Sequence, residues 1–179
     1  MNEINIKQTV ENLIDTFLDA GRLSLELRKK GLIKEIKSDN TPVSNGDLEV
    51  NKLITRKINQ LNPDVPLVSE ETSENKSNTN LKNFWLIDPI DGTYDYINNL
   101  DEFTINAGLI VNQKPVAGLI YAPAKERMFY SYGNGQAFEL IRGKETKLVG
   151  DKNFNKNKIK FVSYSNTIKP DVKKIFDKL

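Results

Sequence analysis

Two aspartates in the middle of the chain have the type and spacing of metal-binding residues. Asp88 and Asp91 follow an apolar run, residues 84–87, and precede Gly92 and Thr93. Four large apolar residues in succession are typical of a strand that is buried on both faces. We therefore expect both carboxylates at the carboxyl end of a buried strand, which is where ligands bind in α/β folds.

The turn after this strand offers further polar groups. Pro89 and Gly92 are expected to end the strand, because proline lacks a backbone donor and glycine tolerates positive φ. The carbonyl of Ile90 lies between the two aspartates, and oxygen ligands of this kind suit Mg²⁺. Gly92 and Thr93 would offer N–H groups and a hydroxyl to an anion at the start of the next helix. In the alternative, which stays open here, the aspartates only cap backbone donors of a turn.

A second pair of acids follows another apolar stretch. Residues 65–68 predict a buried strand, which is followed by Ser69, Glu70 and Glu71. If the two strand ends are neighbours, these carboxylates lie beside Asp88 and complete one metal pocket. The alternative is the start of a solvated loop, which adjacent acids after a strand often form. None of these stretches contains Lys or Arg, so we expect the acids to repel one another when no metal is bound.

Asp47 occupies the first turn of a predicted helix over residues 45–61. Its position three residues after Ser44 matches the capping-box pattern, in which an acid bonds the backbone N–H of the cap residue. On the residues alone, capping is therefore the favoured role of Asp47.

Length and composition indicate one globular domain without a transmembrane span. The chain has 179 residues, 38% of them hydrophobic and 28% charged, which suffices for one sizeable core. No apolar run reaches the length that a bilayer requires, and the amino terminus lacks the features of a signal peptide, so we expect a cytoplasmic location. The chain has no histidine or cysteine, which disfavours zinc and removes the usual neutral-pH base. Any hydrolysis must then use carboxylates, hydroxyls or a metal.

The charges are distributed unevenly along the chain. Residues 139–179 carry 11 basic and 5 acidic side chains, whereas residues 1–138 carry 15 and 19. A basic tail can bind nucleic acid, but these lysines have little aromatic interleaving and no recognisable binding motif. A solvated lysine-rich face is the favoured interpretation, without a nucleic-acid partner.

Hydrophobic periodicity predicts an α+β chain. The remaining elements expected are helices over about 4–30, 94–98 and 170–179, a short strand over 33–37, hairpins over 103–111 with 115–121 and 127–131 with 136–140, and a strand over 159–163.

Five motifs, in the right order, resemble those of one enzyme family. They are W-L-I-D-P-I-D-G-T at 85–93, T-P-V-S-N-G-D at 41–47, L-V-S-E-E at 67–71, E-F-T-I-N at 102–106 and G-L-I-Y-A-P at 118–123. The first three are similar to the motifs of the inositol monophosphatase superfamily of Mg²⁺-dependent, lithium-sensitive phosphatases. The last two look most like its bacterial branch that dephosphorylates adenosine 3',5'-bisphosphate. One departure is Gly46, where relatives usually carry alanine.

This resemblance implies a fold and a domain organisation. The fold is the amino-terminal α+β half of a layered αβαβα sandwich, and relatives continue into a second half. We accordingly expect residues 1–165 to form the domain with the metal site, and residues 166–179 to begin an incomplete carboxyl-terminal half. The tryptophan–aspartate motif that would complete the metal site does not occur in this chain.

The resemblance also implies roles for individual residues. Asp47 and Thr93 would activate the attacking water, which reverses the capping interpretation of Asp47. Mg²⁺ would be held by Glu70, Asp88, Asp91 and the carbonyl of Ile90. The substrate phosphate would contact Glu70, Asp91, Gly92 and Thr93.

Three functions follow from these expectations. The first is Mg²⁺-dependent hydrolysis of adenosine 3',5'-bisphosphate to AMP and phosphate, impaired by the missing half. The second is an inositol-phosphate phosphatase. The third belongs to another class: a non-catalytic metal-binding fragment that self-associates or assembles with a partner chain, such as a separate carboxyl-terminal half.

Overall fold

The computed structural model describes residues 5–37, 41–72 and 80–150. The helices of this part are α1 (Ile6–Lys30), α2 (Asn45–Leu61) and α3 (Thr93–Ile97), with a 3₁₀ turn at Pro123–Lys125. The strands are β1 (Lys34–Ile36), β2 (Pro42–Ser44), β3 (Leu67–Ser69), β4 (Phe84–Asp91), β5 (Thr104–Val111), β6 (Lys114–Ala122), β7 (Arg127–Ser131), β8 (Ala137–Ile141) and β9 (Lys144–Lys147).

Seven strands form one sheet in the sequential order β3 to β9. β3 lies parallel to β4, and each of the other neighbouring pairs is antiparallel. β1 and β2 form a separate antiparallel pair. The α+β class expected from the sequence is confirmed.

The chain divides into two units, residues 1–149 and 150–179, and only Gly150 of the second unit lies in the described part. The strand expected over 159–163, the helix expected over 170–179 and the boundary expected at residue 165 therefore lie outside the described residues.

One apolar face holds α1 against the core. Val10, Leu13 and Phe17 recur at three- and four-residue spacing and are fully buried, as the periodicity predicts. The helix begins after Asn5, whose side chain accepts a backbone N–H of the first turn. It ends at Gly31, which takes a φ of 97° that other residues rarely adopt.

The sheet buries only one of its faces along β4. Trp85 and Ile87 point into the core shared with α1 and α2 and are at most 1% exposed, whereas Leu86 between them is 51% exposed. The prediction of a strand buried on both faces is therefore wrong. All four residues of the run are apolar, but alternate residues of a strand face opposite sides of the sheet. A largely antiparallel sheet such as this one can leave one of its faces exposed.

β4 also continues further than the sequence predicts. Pro89 lies inside the strand, which ends at Asp91 before Gly92 turns with a φ of 89°. The pairing of β4 with β5 shifts register between Asp88 and Asp91, and such an irregularity accommodates the missing N–H of proline. Asp88 consequently lies within the strand and not on the turn that follows it.

The other elements expected in the described chain are confirmed, but two observed strands, β2 and β9, were not predicted. β9 was not predicted, because its sequence is wholly polar and all four residues are exposed. Leu48 of α2 is 39% exposed. The buried stripe of α2 runs through Val50, Ile54 and Ile58, and residue 48 lies on the adjacent face. None of the helices in the described ranges is long and apolar enough to cross a membrane.

A matched pair of leucines tests which face of the sheet is buried. Leu119→Ala on β6 should lower the free energy of unfolding by about 2–5 kcal/mol, because Leu119 is fully buried. Leu86→Ala, on the exposed face, should lower it by less than about 1 kcal/mol. Urea denaturation measures both values, and equal losses would contradict the one-sided burial of the sheet.

Candidate active site

The parallel pair β3 and β4 brings acids from two chain segments together. Glu70 follows β3, and its backbone N–H donates to the carbonyl of Ile87 at 3.0 Å. This bond extends the parallel ladder by one residue, and Glu70 thereby comes beside Asp88, with which its side chain forms a hydrogen bond. The juxtaposition expected from the two strand ends is present.

The electrostatic state of Asp88 reflects these neighbours. The pKa of Asp88 is raised to about 7, most of all by burial, and also by the charge and hydrogen bond of Glu70 and the charges of Asp91 and Glu71. Two hydrogen-bonded carboxylates must share a proton, since neither can donate when both are ionised. In the absence of a bound cation, the site therefore disfavours the charge of Asp88.

Two buried oxygens at this site lack a hydrogen-bond partner within the described chain. They are Oδ1 of Asp88 and Oδ1 of Asn106. Asn106 lies on β5 directly opposite Asp88 in the pairing of the two strands. Because an unsatisfied buried acceptor costs about 1–3 kcal/mol, the two oxygens indicate a place for a cation or for a donor.

The donor set fits Mg²⁺, although it does not enclose an ion. In the described ranges, no three acidic or other metal-binding side chains are grouped closely enough to hold a metal by themselves. Glu70 and Asp88 are in contact, and Asp91 at the end of β4 acts on Asp88 through its charge. Glu70 and Asp91 are exposed, whereas Asp88 is half-buried. Mg²⁺ commonly uses one or two carboxylates together with waters and phosphate, so an acidic pair with an unpartnered oxygen suits it.

Asp47 and Thr93 are in contact, as the resemblance implies. The Thr93 hydroxyl lies 3.1 Å from Oδ1 of Asp47 and 3.0 Å from the carbonyl oxygen of Ile90. Asp47 is fully buried. Burial raises its pKa, against the opposing effect of hydrogen bonds from Ser44 and Thr93.

The capping role of Asp47 is present as well. Its Oδ2 accepts the backbone N–H of Ser44 at 2.8 Å and the Ser44 hydroxyl at 2.6 Å, which completes a capping box at the start of α2. The two interpretations of this residue therefore do not exclude each other. One carboxylate oxygen fixes the helix start and the other contacts Thr93.

Gly92 forms the sharp turn between β4 and α3. Its φ of 89° favours glycine, and a Cβ at this position would lie 2.7 Å from the carbonyl oxygen of Glu102. The turn places Thr93 against Asp47. Phosphate contacts by Gly92 and Thr93 stay a prediction.

Lys37 is a neighbour of the acids that the sequence analysis missed. Its Nζ lies 2.8 Å from Oε1 of Glu71 and 3.5 Å from Oε1 of Glu70. Burial lowers the pKa of Lys37. The hydrogen bonds and charges of the two glutamates raise it by more than burial lowers it, so the net shift is upward. The acidic stretches contain no Lys or Arg, but the fold brings Lys37 to the two glutamates from outside them. Lys37 follows β1, more than 30 residues before Glu70, and no local pattern connects them.

A buried tyrosine, Tyr96, packs against Gly46, the residue before Asp47. The Tyr96 hydroxyl donates to the carbonyl of Ser24 on α1 at 2.7 Å. A Cβ on Gly46 would lie 2.3 Å from that hydroxyl oxygen. Gly46, which the sequence analysis noted only as a departure, leaves the space that Tyr96 occupies.

Comparison with known proteins places the chain in a family. The model of the inositol monophosphatase family matches residues 6–178. The chain is 38% identical over 114 residues to the 3'(2'),5'-bisphosphate nucleotidase CysQ of Haemophilus influenzae, a match that covers 63% of this chain and 42% of the relative.

Solved structures show the same fold. CysQ from Bacteroides thetaiotaomicron aligns with a TM-score of 0.65 at 22% identity, covering 98% of this chain and 69% of that one. An IMPase/NADP phosphatase complexed with Mg²⁺ and phosphate aligns with a TM-score of 0.65 at 21% identity, covering 75% and 51%.

The α+β sheet, with acidic side chains where β3 ends beside β4, fits the fold of these neighbours, and the family match completes the assignment. This chain belongs to the inositol monophosphatase family. It spans about half the length of the curated relatives it matches.

Gly46→Ala tests the packing behind the site. Helix propensity alone favours alanine by up to about 1 kcal/mol, but the new Cβ would overlap the buried, hydrogen-bonded Tyr96. Overpacking typically costs about 1–3 kcal/mol, so we expect a net destabilisation in thermal or urea unfolding. Gly108→Ala serves as the control, since its Cβ would meet no atom closer than 3.9 Å. A Gly46→Ala variant more stable than wild type would contradict the packing described.

Proposed function

We propose that this chain provides the metal-binding and water-activating part of a phosphatase that hydrolyses adenosine 3',5'-bisphosphate to AMP and phosphate. The observation that carries the proposal is the buried, unpartnered Oδ1 of Asp88 beside Glu70, with the Asp47–Thr93 contact nearby. The substrate follows from the nucleotidases among the relatives. The division into a domain over residues 1–165 and a segment over 166–179 stays part of the proposal.

Glu70, Asp88, Asp91 and the carbonyl of Ile90 are the proposed Mg²⁺ ligands. Bound Mg²⁺ would neutralise phosphate charge and lower the pKa of the attacking water. The carbonyl oxygen of Ile90, one of these proposed ligands, is also within hydrogen-bond distance of the Thr93 hydroxyl. This contact connects the proposed metal ligands with the residue proposed to transfer the proton.

The remaining residues act on the proton and the phosphate. Thr93 would accept the proton of the attacking water while it passes its own hydroxyl proton to Oδ1 of Asp47. The raised pKa of Asp47 favours this acceptance. Glu70, Asp91 and the backbone of Gly92 would contact the substrate, and the leaving oxygen would depart as the alcohol of AMP.

Two other functions can be distinguished from this one by measuring Mg²⁺ binding and phosphate release. An inositol-phosphate phosphatase would hydrolyse inositol 1-phosphate in preference to the nucleotide, and several solved neighbours carry the name inositol monophosphatase. A metal-binding fragment without activity would bind Mg²⁺ but hydrolyse neither. The chain spans about half of each of these relatives, so turnover is measured for the chain alone and with a carboxyl-terminal half from a relative.

Metal binding is tested by thermal unfolding with and without Mg²⁺. At 100 times its dissociation constant, a ligand adds about 2.7 kcal/mol of stability, or about 5–10 °C in Tm for a domain of this size. Asp88→Asn should abolish most of this rise, and it should not destabilise the metal-free protein because it removes a repelled charge. Asp64→Asn, at an exposed position, should keep the rise. An undiminished rise in Asp88→Asn would show that the metal binds elsewhere.

Catalysis is tested at Thr93, with phosphate release from adenosine 3',5'-bisphosphate and inositol 1-phosphate as the measurement. The chain is assayed alone and with an added carboxyl-terminal half. In whichever form turns over, Thr93→Val should lower kcat by about 10²–10⁴-fold and leave the Mg²⁺-dependent rise in Tm unchanged. Thr93→Ser keeps the hydroxyl and should retain most activity. Full activity in Thr93→Val would remove this residue from the mechanism.

A further inference from the structure

Asn106 stands at the proposed metal site without a role in it. It lies in β5, opposite Asp88 in the pairing with β4, and directly opposite residues of adjacent strands point to the same face of a sheet. Its amide nitrogen donates to Oδ2 of Asp91 at 3.3 Å. Asn106 therefore lies next to both aspartates of the D-P-I-D sequence.

The side-chain nitrogen of Asn106 has a hydrogen-bond partner in the described chain, whereas its oxygen has none. A primary amide offers two donor hydrogens and one acceptor oxygen, and the donor side is used by Asp91. The oxygen is buried without a partner in the part of the chain that the structure describes. The other such oxygen there is Oδ1 of Asp88, the cross-strand neighbour. Buried polar groups are normally paired, so two unpaired acceptors on adjacent residues indicate a missing cation or donor.

A neutral amide suits this position better than a carboxylate or an apolar group. Glu70, Asp91 and Glu71 already act on Asp88 with their charges, and a further acid would increase the repulsion. An apolar side chain could not donate to Asp91, which is exposed and has several rotamers available. Of these three kinds of side chain, only the amide both orients a carboxylate and adds an oxygen without adding charge.

We propose that Asn106 is a positioning residue of the metal site, whose amide holds Asp91 toward the cation and whose carbonyl oxygen supplies a neutral acceptor beside Asp88. This inference rests on the proposed function. Outer partners of metal ligands typically change metal affinity by 10–100-fold when they are replaced.

The first test measures Mg²⁺ affinity by isothermal titration calorimetry, without substrate. Asn106→Leu keeps the approximate size but removes both polar atoms, and it should raise the Kd for Mg²⁺ at least about tenfold. The Tm in EDTA should not fall, because the variant removes an unsatisfied acceptor. A merely structural asparagine would give the opposite pattern, with a lower Tm and unchanged affinity.

Asn83→Leu is the matched control. Asn83 is also half-buried and precedes β4 at its other end, where its side chain accepts the backbone N–H of Asn112 at 2.8 Å. This variant should lower the Tm and leave the Kd for Mg²⁺ unchanged.

A second test needs no metal. In EDTA at pH 8, Asn106→Asp should lower the Tm by more than Asn83→Asp does, because only residue 106 lies among the acids. Equal effects would overturn the placement of Asn106 in their field.

The outcomes separate this inference from the proposed function. If wild type binds Mg²⁺ and Asn106→Leu binds it equally well, the inference fails and the proposed function stands. If wild type binds no Mg²⁺, both fail.

Discussion

The site depends on acidic side chains that lie close to one another where β3 ends beside β4. β3 and β4 form the parallel pair of a sheet whose other neighbouring pairs are antiparallel, and parallel neighbours end at the same edge. Glu70 and Asp88 are thereby brought into contact, and the pKa of Asp88 rises to about 7 through burial and the neighbouring acids. Lys37 compensates the glutamates but leaves one oxygen of Asp88 unpartnered within the described chain. The fold thus maintains a local excess of negative charge that a divalent cation would relieve.

The rest of the structure places a proton acceptor beside this charge. The capping box of α2 fixes one oxygen of Asp47 and leaves the other to Thr93. Gly92 turns the chain so that Thr93 reaches Asp47, and Thr93 also contacts the carbonyl of Ile90. Tyr96 packs behind this arrangement in space that Gly46 leaves free. Stability and function are therefore coupled at Asp47, since replacing it removes the acid of the capping box as well as a proposed proton acceptor.

Sequence patterns predicted the helices and hairpins of the described chain because their signals are local. The periodicity of α1 and the turn at Asn112 each lie within a short window. The misses came from long-range pairing. The exposure of Leu86 depends on what covers the second face of the sheet, and the contact of Lys37 with Glu71 joins residues far apart in sequence. Asn106 was part of a recognised motif, but its relation to Asp88 appears only in the register of β4 and β5. Residue types and spacing thus indicated the candidate site, while its supporting residues required the tertiary structure.

The central claim is that Glu70 and Asp88, where β3 ends beside β4, hold a divalent cation. Anomalous diffraction from crystals soaked with Mn²⁺, which takes the same oxygen ligands as Mg²⁺, locates the ion directly. The account predicts an anomalous peak at coordination distance from a carboxylate oxygen of Asp88, about 2.0–2.3 Å, with Glu70 also in its coordination sphere. A well-occupied peak away from both residues, or no peak at saturating Mn²⁺, would contradict it.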